Sequence, residues 1–452
     1  MSHTKRTLAV IRSERMQARR WYRSSTLWIF VGLFLGILLG GFLPQDSYPT
    51  WYKVFYFCSK AFIGLIKGLI VPLLFSTIVV GIAQTGDARS VGRMGVKSLL
   101  YFEIVTTIAL FIGLLIANTV RPGVSLPLDL GAHPALSAAK PMSGWDIALH
   151  ALPTNVVKHA AEGDVLPLVV FATLFGVALT RVGEVGKPVL SFFQGAAHTM
   201  FRYTDFVMRL TPIGVFGAMA YNVSHMAAGQ AVGTNLVKGW PAVSHLLLQY
   251  ARLVGSLYLA LFALVLFVFV PVMVITKTPV FRFLKAIHDP VLTAFSTASS
   301  EAALPKLLDR LVAFGVPNRV AGFVVPTGYS FNLDGSTLYL VLASLTIAQA
   351  AHIELSLSQQ IAMILTLMLT SKGIAGVPRA TLVIIAATCD GFGLPGEAGV
   401  AMLLAVDEVM DMARTSVNVI GNGLAAVVIA KWEGVFGTER AVDPYDVEAR
   451  AL

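Results

Sequence analysis

Asp407-Glu-Val-Met-Asp-Met-Ala-Arg-Thr-Ser-Val-Asn-Val-Ile-Gly-Asn422 sits among strongly apolar sequence yet carries acids, a guanidinium and two amides. At about 100° per residue, Asp407, Asp411, Arg414, Thr415, Asn418 and Asn422 share roughly 100° of arc on one helix face. An Asp or Arg at the centre of a bilayer costs about 2.5–3.5 kcal/mol even on the lenient insertion scale. A membrane helix that keeps several such groups is read, by default, as the wall of a binding site for a charged, polar solute.

Composition supplies the membrane. The chain is 56% hydrophobic and only 13% charged, with a mean hydropathy of +0.73. It is too apolar for a soluble globule and too long for one or two anchors, so it reads as a polytopic membrane protein. The net charge of +9 gathers in ends and loops, and Lys5, Arg6, Arg12, Arg15, Arg19, Arg20 and Arg23 all precede the first apolar run. That pattern fits the positive-inside rule better than a nucleic-acid groove and places the N-terminus in the cytoplasm. Thr26–Leu43 is longer than a signal-peptide core and is read as a retained first helix. Cys58 and Cys389 have no partners at metal-ligand spacing, so neither a disulfide framework nor a zinc site is expected.

Apolar spans are expected near residues 26–43, 54–82, 96–120, 164–181, 189–226 and 247–276. Beyond residue 280 the pattern changes. Two stretches rich in small and polar residues, Ala294-Phe-Ser-Thr-Ala-Ser-Ser-Glu-Ala-Ala-Leu-Pro305 and Thr370-Ser-Lys-Gly-Ile-Ala-Gly-Val-Pro378, each end on a proline and each precede a helix carrying carboxylate and amide groups. The second half therefore reads as a repeated unit of hairpin plus helix, roughly 282–348 and 355–435. Backbone that leaves the helix at membrane depth is tolerated only beside protein or a water-filled cavity, so two such tips would frame a cavity.

Four blocks carry a family resemblance: Ser299-Ser-Glu-Ala-Ala-Leu-Pro305, Val325-Pro-Thr-Gly-Tyr-Ser-Phe-Asn-Leu-Asp-Gly-Ser336, Ser371-Lys-Gly-Ile-Ala-Gly-Val-Pro378 and Asp411-Met-Ala-Arg-Thr-Ser-Val-Asn-Val-Ile-Gly-Asn422. In order and spacing they resemble the dicarboxylate/amino acid:cation symporters, close to the bacterial proton/glutamate-aspartate symporters. The resemblance implies an all-α polytopic membrane protein of eight transmembrane helices and two re-entrant helical hairpins, built from inverted repeats and working as an elevator. It implies a homotrimer in the bacterial inner membrane with both termini cytoplasmic. In those terms residues 1–25 are a basic N-terminal segment, 26–95 scaffold helices 1 and 2, and 96–122 transport-core helix 3. Scaffold helices 4 and 5 take 144–228, the remaining transport core 247–435, and a cytoplasmic tail 436–452.

By the same resemblance Arg414 would hold the side-chain carboxylate of L-glutamate or L-aspartate, Asp411 the α-amino group, and Asn418 with Ser300 the α-carboxylate, with Thr415 beside them. Gly373, Gly376 and Pro378 would form the outer gate. The chemistry agrees: a guanidinium fork suits a carboxylate, and an aspartate one turn away on the same face suits an ammonium. Asp411 speaks against C4-dicarboxylates, which lack an amino group for it to bind.

The coupling ion is read from departures. Asn422, Ile374 and Val105 stand where sodium-coupled members carry an aspartate, a threonine and hydroxyl neighbours, while Asn332 and Asp334 remain. Glu103 and Glu301 are extra acids, so with Asp334 and Asp407 they are candidate proton carriers. Leu340 stands where animal glutamate transporters have an acidic residue, which removes potassium coupling from the expectation. The expected function is proton-coupled uptake of glutamate and aspartate, with sodium coupling or C4-dicarboxylate transport as alternatives. No cofactor is expected, and no nucleophile elbow, His-Glu-x-x-His or P-loop suggests an enzyme.

Overall fold

The computed structural model describes residues 25–68, 70–83, 92–128, 149, 152–162, 165–232, 235–371 and 380–438. Helices α1 (Ser25–Phe42), α2 (Pro49–Lys67), α3 (Ile70–Ala83), α4 (Gly92–Val120), α5 (Val156–Glu162), α6 (Val165–Val182), α7 (Lys187–Met208) and α8 (Thr211–Ala228) form the first half. The expected spans 54–82 and 189–226 are thus each divided, the second by a turn at Arg209–Leu210 that precedes Pro212. Proline is favoured in the first turn of a helix, where its missing N–H has no partner to lose. A short ribbon, β1 (Gln230–Val232) antiparallel to β2 (Asn235–Val237), is a small departure from the all-α expectation. Helices α1 and α2 pack on α8, and α3 packs on α6 and α7.

The second half begins with α9 (Trp240–Leu264) and α10 (Val270–Ile275), joined by a π-helical turn at Val265–Phe269. Pro271 explains the wide turn, since its ring cannot donate to the preceding carbonyl and pushes it aside. After α11 (Val280–Ala286) comes the first hairpin, α12 (His288–Thr297) and α13 (Ser300–Phe314). Its tip is two residues: Ala298 at φ +47 reverses the chain, and the Ser299 hydroxyl caps α13 by accepting from Ala302 N at 3.3 Å. Pro305 therefore lies inside α13 rather than ending the tip as expected.

Next come α14 (Asn318–Phe331) and α15 (Asp334–Ala350), which are one run broken at Asn332–Leu333. A second pair of helices follows, α16 (Leu357–Thr370), opened by a Ser356/Gln359 capping box, and α17 (Ala380–Gly391). Its expected tip, with Gly373, Gly376, Pro378 and Ile374, lies outside the described residues. Helices α18 (Gly396–Leu404) and α19 (Asp407–Trp432) are again one run broken at Ala405–Val406. The element order of helix pair, helix, break and helix therefore occurs twice. Each break is followed by a long helix that opens on a fully buried aspartate, Asp334 or Asp407.

Among the described residues four runs are long and apolar enough to cross a membrane: Met94–Val120, Trp240–Ile275, Asn318–Ala350 and Asp407–Trp432. The last two are 94% and 89% buried over their most apolar windows, against 44% and 33% for the first two. Helices α15 and α19 are therefore axial, while α4, α9 and the π-helical turn after it expose apolar side chains such as Phe111, Phe262 and Phe267. Lysines secure the ends of the bundle. Lys97 of α4 pairs with Glu433 at 2.6 Å, and Lys431 donates to the carbonyls of Thr276 and Lys277 just past α10.

Candidate functional site

The break at Ala405–Val406 places Asp407 at the first position of α19, where the helix N-terminus favours a carboxylate. The acid does not lie inside the helix, as expected from sequence, and its position gives Arg414 a partner two turns along. Arg414 is 1% exposed. Its Nη1 donates to Asp407 Oδ1 at 2.8 Å and its Nη2 to Asp407 Oδ2 at 3.4 Å, a bidentate pair. Its Nε lies 2.9 Å from Asp411 Oδ1, a close ion-pair contact whose N–H is not aligned on that oxygen. Thr415 Oγ1 donates to the same Asp411 oxygen at 3.0 Å.

Tyr339 of α15 completes the cluster and is a residue that sequence reasoning missed. Its ring centroid lies 4.3 Å from the guanidinium carbon, and its hydroxyl donates to Asp407 Oδ1 at 3.1 Å. The ring offers a cation–π face while the hydroxyl fixes the carboxylate. A buried aromatic on an almost wholly apolar helix carries no sequence signal for this role. Two carboxylates facing one guanidinium leave the cluster short of one positive charge. A carboxylate that paired with Arg414 in place of Asp411 would leave Asp411 able to receive an ammonium.

Asn418, one turn further along α19, has a partner set that the sequence reading did not anticipate. Its Oδ1 accepts from Gly335 N at 2.8 Å and Ser336 N at 3.2 Å, and its Nδ2 donates to Ser336 Oγ at 2.9 Å. The amide of one axial helix thus caps the N-terminus of the other. Gly335 permits this approach, because a Cβ there would lie 2.5 Å from the Arg414 carbonyl oxygen.

A second polar junction lies one more turn along. Asn332 Nδ2 donates to Asn422 Oδ1 at 3.2 Å, and Thr106 of α4 donates to Asp334 Oδ1 at 3.1 Å. Asn332, Asp334 and Asn422 are fully buried. Asn332 Oδ1 and Asn422 Nδ2 have no hydrogen-bond partner, a costly arrangement of about 1–3 kcal/mol each that marks a place for a further polar group. Tyr101, also buried, lies close enough to Asp334 to feel its charge. Thr106 and Tyr101 were not singled out from sequence, because only the packing of α4 on α15 brings them to the aspartate.

The remaining candidates are dispersed. Ser300 is buried at the start of α13, and its carbonyl accepts from Tyr329 Oη at 2.9 Å. Glu301 follows it on the same helix. Glu103 is half-buried on α4, where Thr107 Oγ1 donates to its carbonyl at 2.7 Å. Gly373, Gly376 and Pro378 lie outside the described residues.

The tight fit of the second junction gives a prediction. A Cβ on Gly328 would lie 2.0 Å from Asn422 Oδ1, whereas one on Gly322, two turns earlier on α14, meets nothing within 4 Å. Gly328→Ala should displace the Asn422 amide and strip Asn332 of its partner, at about 1–3 kcal/mol. Thermal unfolding of the purified protein should show a lower midpoint for Gly328→Ala and little change for Gly322→Ala. Equal midpoints would mean that the junction yields without cost.

Residues 26–432 match the sodium:dicarboxylate symporter family. The chain is 42% identical over 417 residues to the proton/glutamate-aspartate symporter of Bacillus subtilis (strain 168), covering 90% of this chain and 94% of that protein. It is 38% identical over 421 residues to the proton/sodium-glutamate symport protein of the same organism, covering 91% and 94%. It is also 39% identical over 431 residues to the C4-dicarboxylate transport protein of Laribacter hongkongensis (strain HLHK9), covering 94% and 93%.

Proposed function

The chain belongs to the sodium:dicarboxylate symporter family and is a multi-pass membrane protein; from that premise we propose that it imports L-glutamate and L-aspartate together with protons. The observation that carries the substrate is the buried Asp407–Arg414–Asp411 cluster, a guanidinium flanked by an acid that an ammonium can take over. A C4-dicarboxylate would leave Asp411 facing a second anion, so the amino-acid reading is preferred to that of the dicarboxylate relative.

The observation that bears on the ion is the Asn332–Asp334–Asn422 junction. Sodium takes oxygen ligands, and here Asn422 has spent its oxygen on Asn332 and offers its Nδ2 group instead. A proton needs one basic oxygen, and the junction holds one carboxylate, Asp334, so protons fit it better. Sodium is the second reading, favoured by Asp334 and the Asn332 amide both lying against Gly421, with Thr106 donating to Asp334 and Asn332 Oδ1 without a hydrogen-bond partner. Glu103, Glu301 and Asp407 remain candidates for further protons. The protein is proposed to work as a homotrimer in a bacterial inner membrane, with cytoplasmic termini, eight spans, two hairpins and a core that travels against a scaffold. No cofactor or enzymatic step is part of the proposal.

Uptake of labelled glutamate into proteoliposomes, with pH, sodium and voltage gradients imposed one at a time, tests it. Glutamate enters as a monoanion, so two or more protons bring in net positive charge, worth about 2.3 kcal/mol per charge per 100 mV. Accumulation driven by an inward proton gradient in sodium-free buffer, and increased by an inside-negative potential, is the expected result. Strict dependence on sodium with no response to pH would replace protons by the second reading.

A further inference from the structure

Lys60 of α2 forms an ion pair with Glu397 in the first turn of α18, joining positions 337 residues apart. The lysine ammonium also lies 5.3 Å from the Tyr56 ring centroid. Tyr56 packs on Tyr221 at 5.4 Å, and Tyr221 stacks on Tyr52 at 4.5 Å, so an aromatic wall shared by α2 and α8 supports the charge. The two side chains are 34% and 40% exposed, leaving the pair partly shielded. Helix α18 packs on both α2 and α8 and leads directly into α19 and its site.

The level of the contact along each helix is informative. Lys60 is eleven residues, roughly 17 Å, into α2, whereas Glu397 is the second residue of α18, at the opening of the α18–α19 run. The leading end of the core thus lies beside the middle of a scaffold helix. At the opposite side, Thr26 in the first turn of α1 donates to the carbonyl of Ser296 at 3.3 Å, next to the tip of the first hairpin. That tip is tied by Tyr329 to α14 just before the Asn332 break, in the middle of the run Asn318–Ala350. The middle of the core thus lies beside the end of α1, and both offsets point the same way, toward the end at which α1 begins.

We propose that the structure holds the core displaced toward the end where α1 starts, and that Lys60–Glu397 is the latch of that position, opened each time the core travels to the other. This rests on the moving-core symporter proposed above. A positive charge left on the apolar scaffold without its partner disfavours departure, so the pair sets how long the core dwells there.

Single-molecule energy transfer between dyes at V185C on the scaffold and H352C on the core, in full-length C58S protein in lipid nanodiscs, reads the dwell directly. K60M and E397Q should each shorten the displaced dwell about five-fold, the equivalent of about 1 kcal/mol for a part-exposed pair. The swap K60E/E397K should bring it back to within about two-fold of the parent. Should the swap fail to assemble, K60M/E397L replaces it and should lose no more than either single change. Unaltered dwells in the single variants, additive losses in the double, or one unchanging transfer level in the parent overturns the latch. Glutamate binding to the parent and to E397Q in detergent is measured alongside. Absence of binding in both strikes the substrate reading, while the dwell result still decides the latch.

Discussion

Arg414→Cys is expected to abolish uptake of glutamate and aspartate while the protein still reaches the membrane. The guanidinium makes a bidentate bond to Asp407, a close contact to Asp411 and a face contact to Tyr339, and Arg414 itself is only 1% exposed. Removing one partner of a buried, hydrogen-bonded charge pair costs about 2–5 kcal/mol, roughly 30-fold to several-thousand-fold in affinity. Asp411→Ser should lose amino acids and gain relative preference for succinate or malate, because the group that receives the ammonium is gone. Competition of unlabelled solutes against labelled glutamate and succinate measures both changes. Normal glutamate uptake by Arg414→Cys would remove the cluster as the substrate site.

Asp407→Asn is expected to be nearly as damaging, for a reason that resides in the protein before any substrate arrives. The amide cannot return the charge-assisted bidentate bond, so Arg414 retains only Asp411 as a counter-charge, and Tyr339 loses a charged acceptor. Breaking a buried pair from one side costs about 3–5 kcal/mol. Thermal unfolding should move to lower temperature, and glutamate binding should weaken because Asp411 is now held by Arg414 in place of the lost carboxylate. If Asp407→Asn unfolds at the parental temperature and binds glutamate normally, Asp407 does not orient the guanidinium. This outcome also separates the positioning role from the proton-carrying role that the sequence allowed, since a proton carrier would change the pH dependence of uptake rather than the stability.

The polar face of α19 was legible because a 3.6-residue period and the high cost of charge in a bilayer leave few ways to read Asp407, Asp411, Arg414 and Asn418 in one apolar segment. The first hairpin was legible for a similar reason, as a run of Ser, Thr and Ala where a lipid-facing helix would carry Leu and Phe. Partners contributed by other helices were not legible. Tyr339 and Thr106 look like ordinary residues of apolar helices, and only the packing of α15 against α19 and α4 turns one into a cradle for Arg414 and the other into a donor to Asp334. The break at Ala405–Val406 was missed because neither residue is a helix breaker. Pro305 misled, because a proline early in a helix is tolerated and does not mark its end.

Asn418 stands one turn from Arg414 and one turn from Asn422, on a single continuous helix, with its amide holding the first residues of α15. With substrate at the Arg414 cluster and the ion at the Asn422 junction, as proposed, anything that turns this face toward one also adjusts the seat of the other, and the two occupancies then share a coupling free energy. Thermodynamic reciprocity fixes the consequence. Whatever factor the ion contributes to substrate affinity, the substrate returns to ion affinity in equal measure, irrespective of which arrives first.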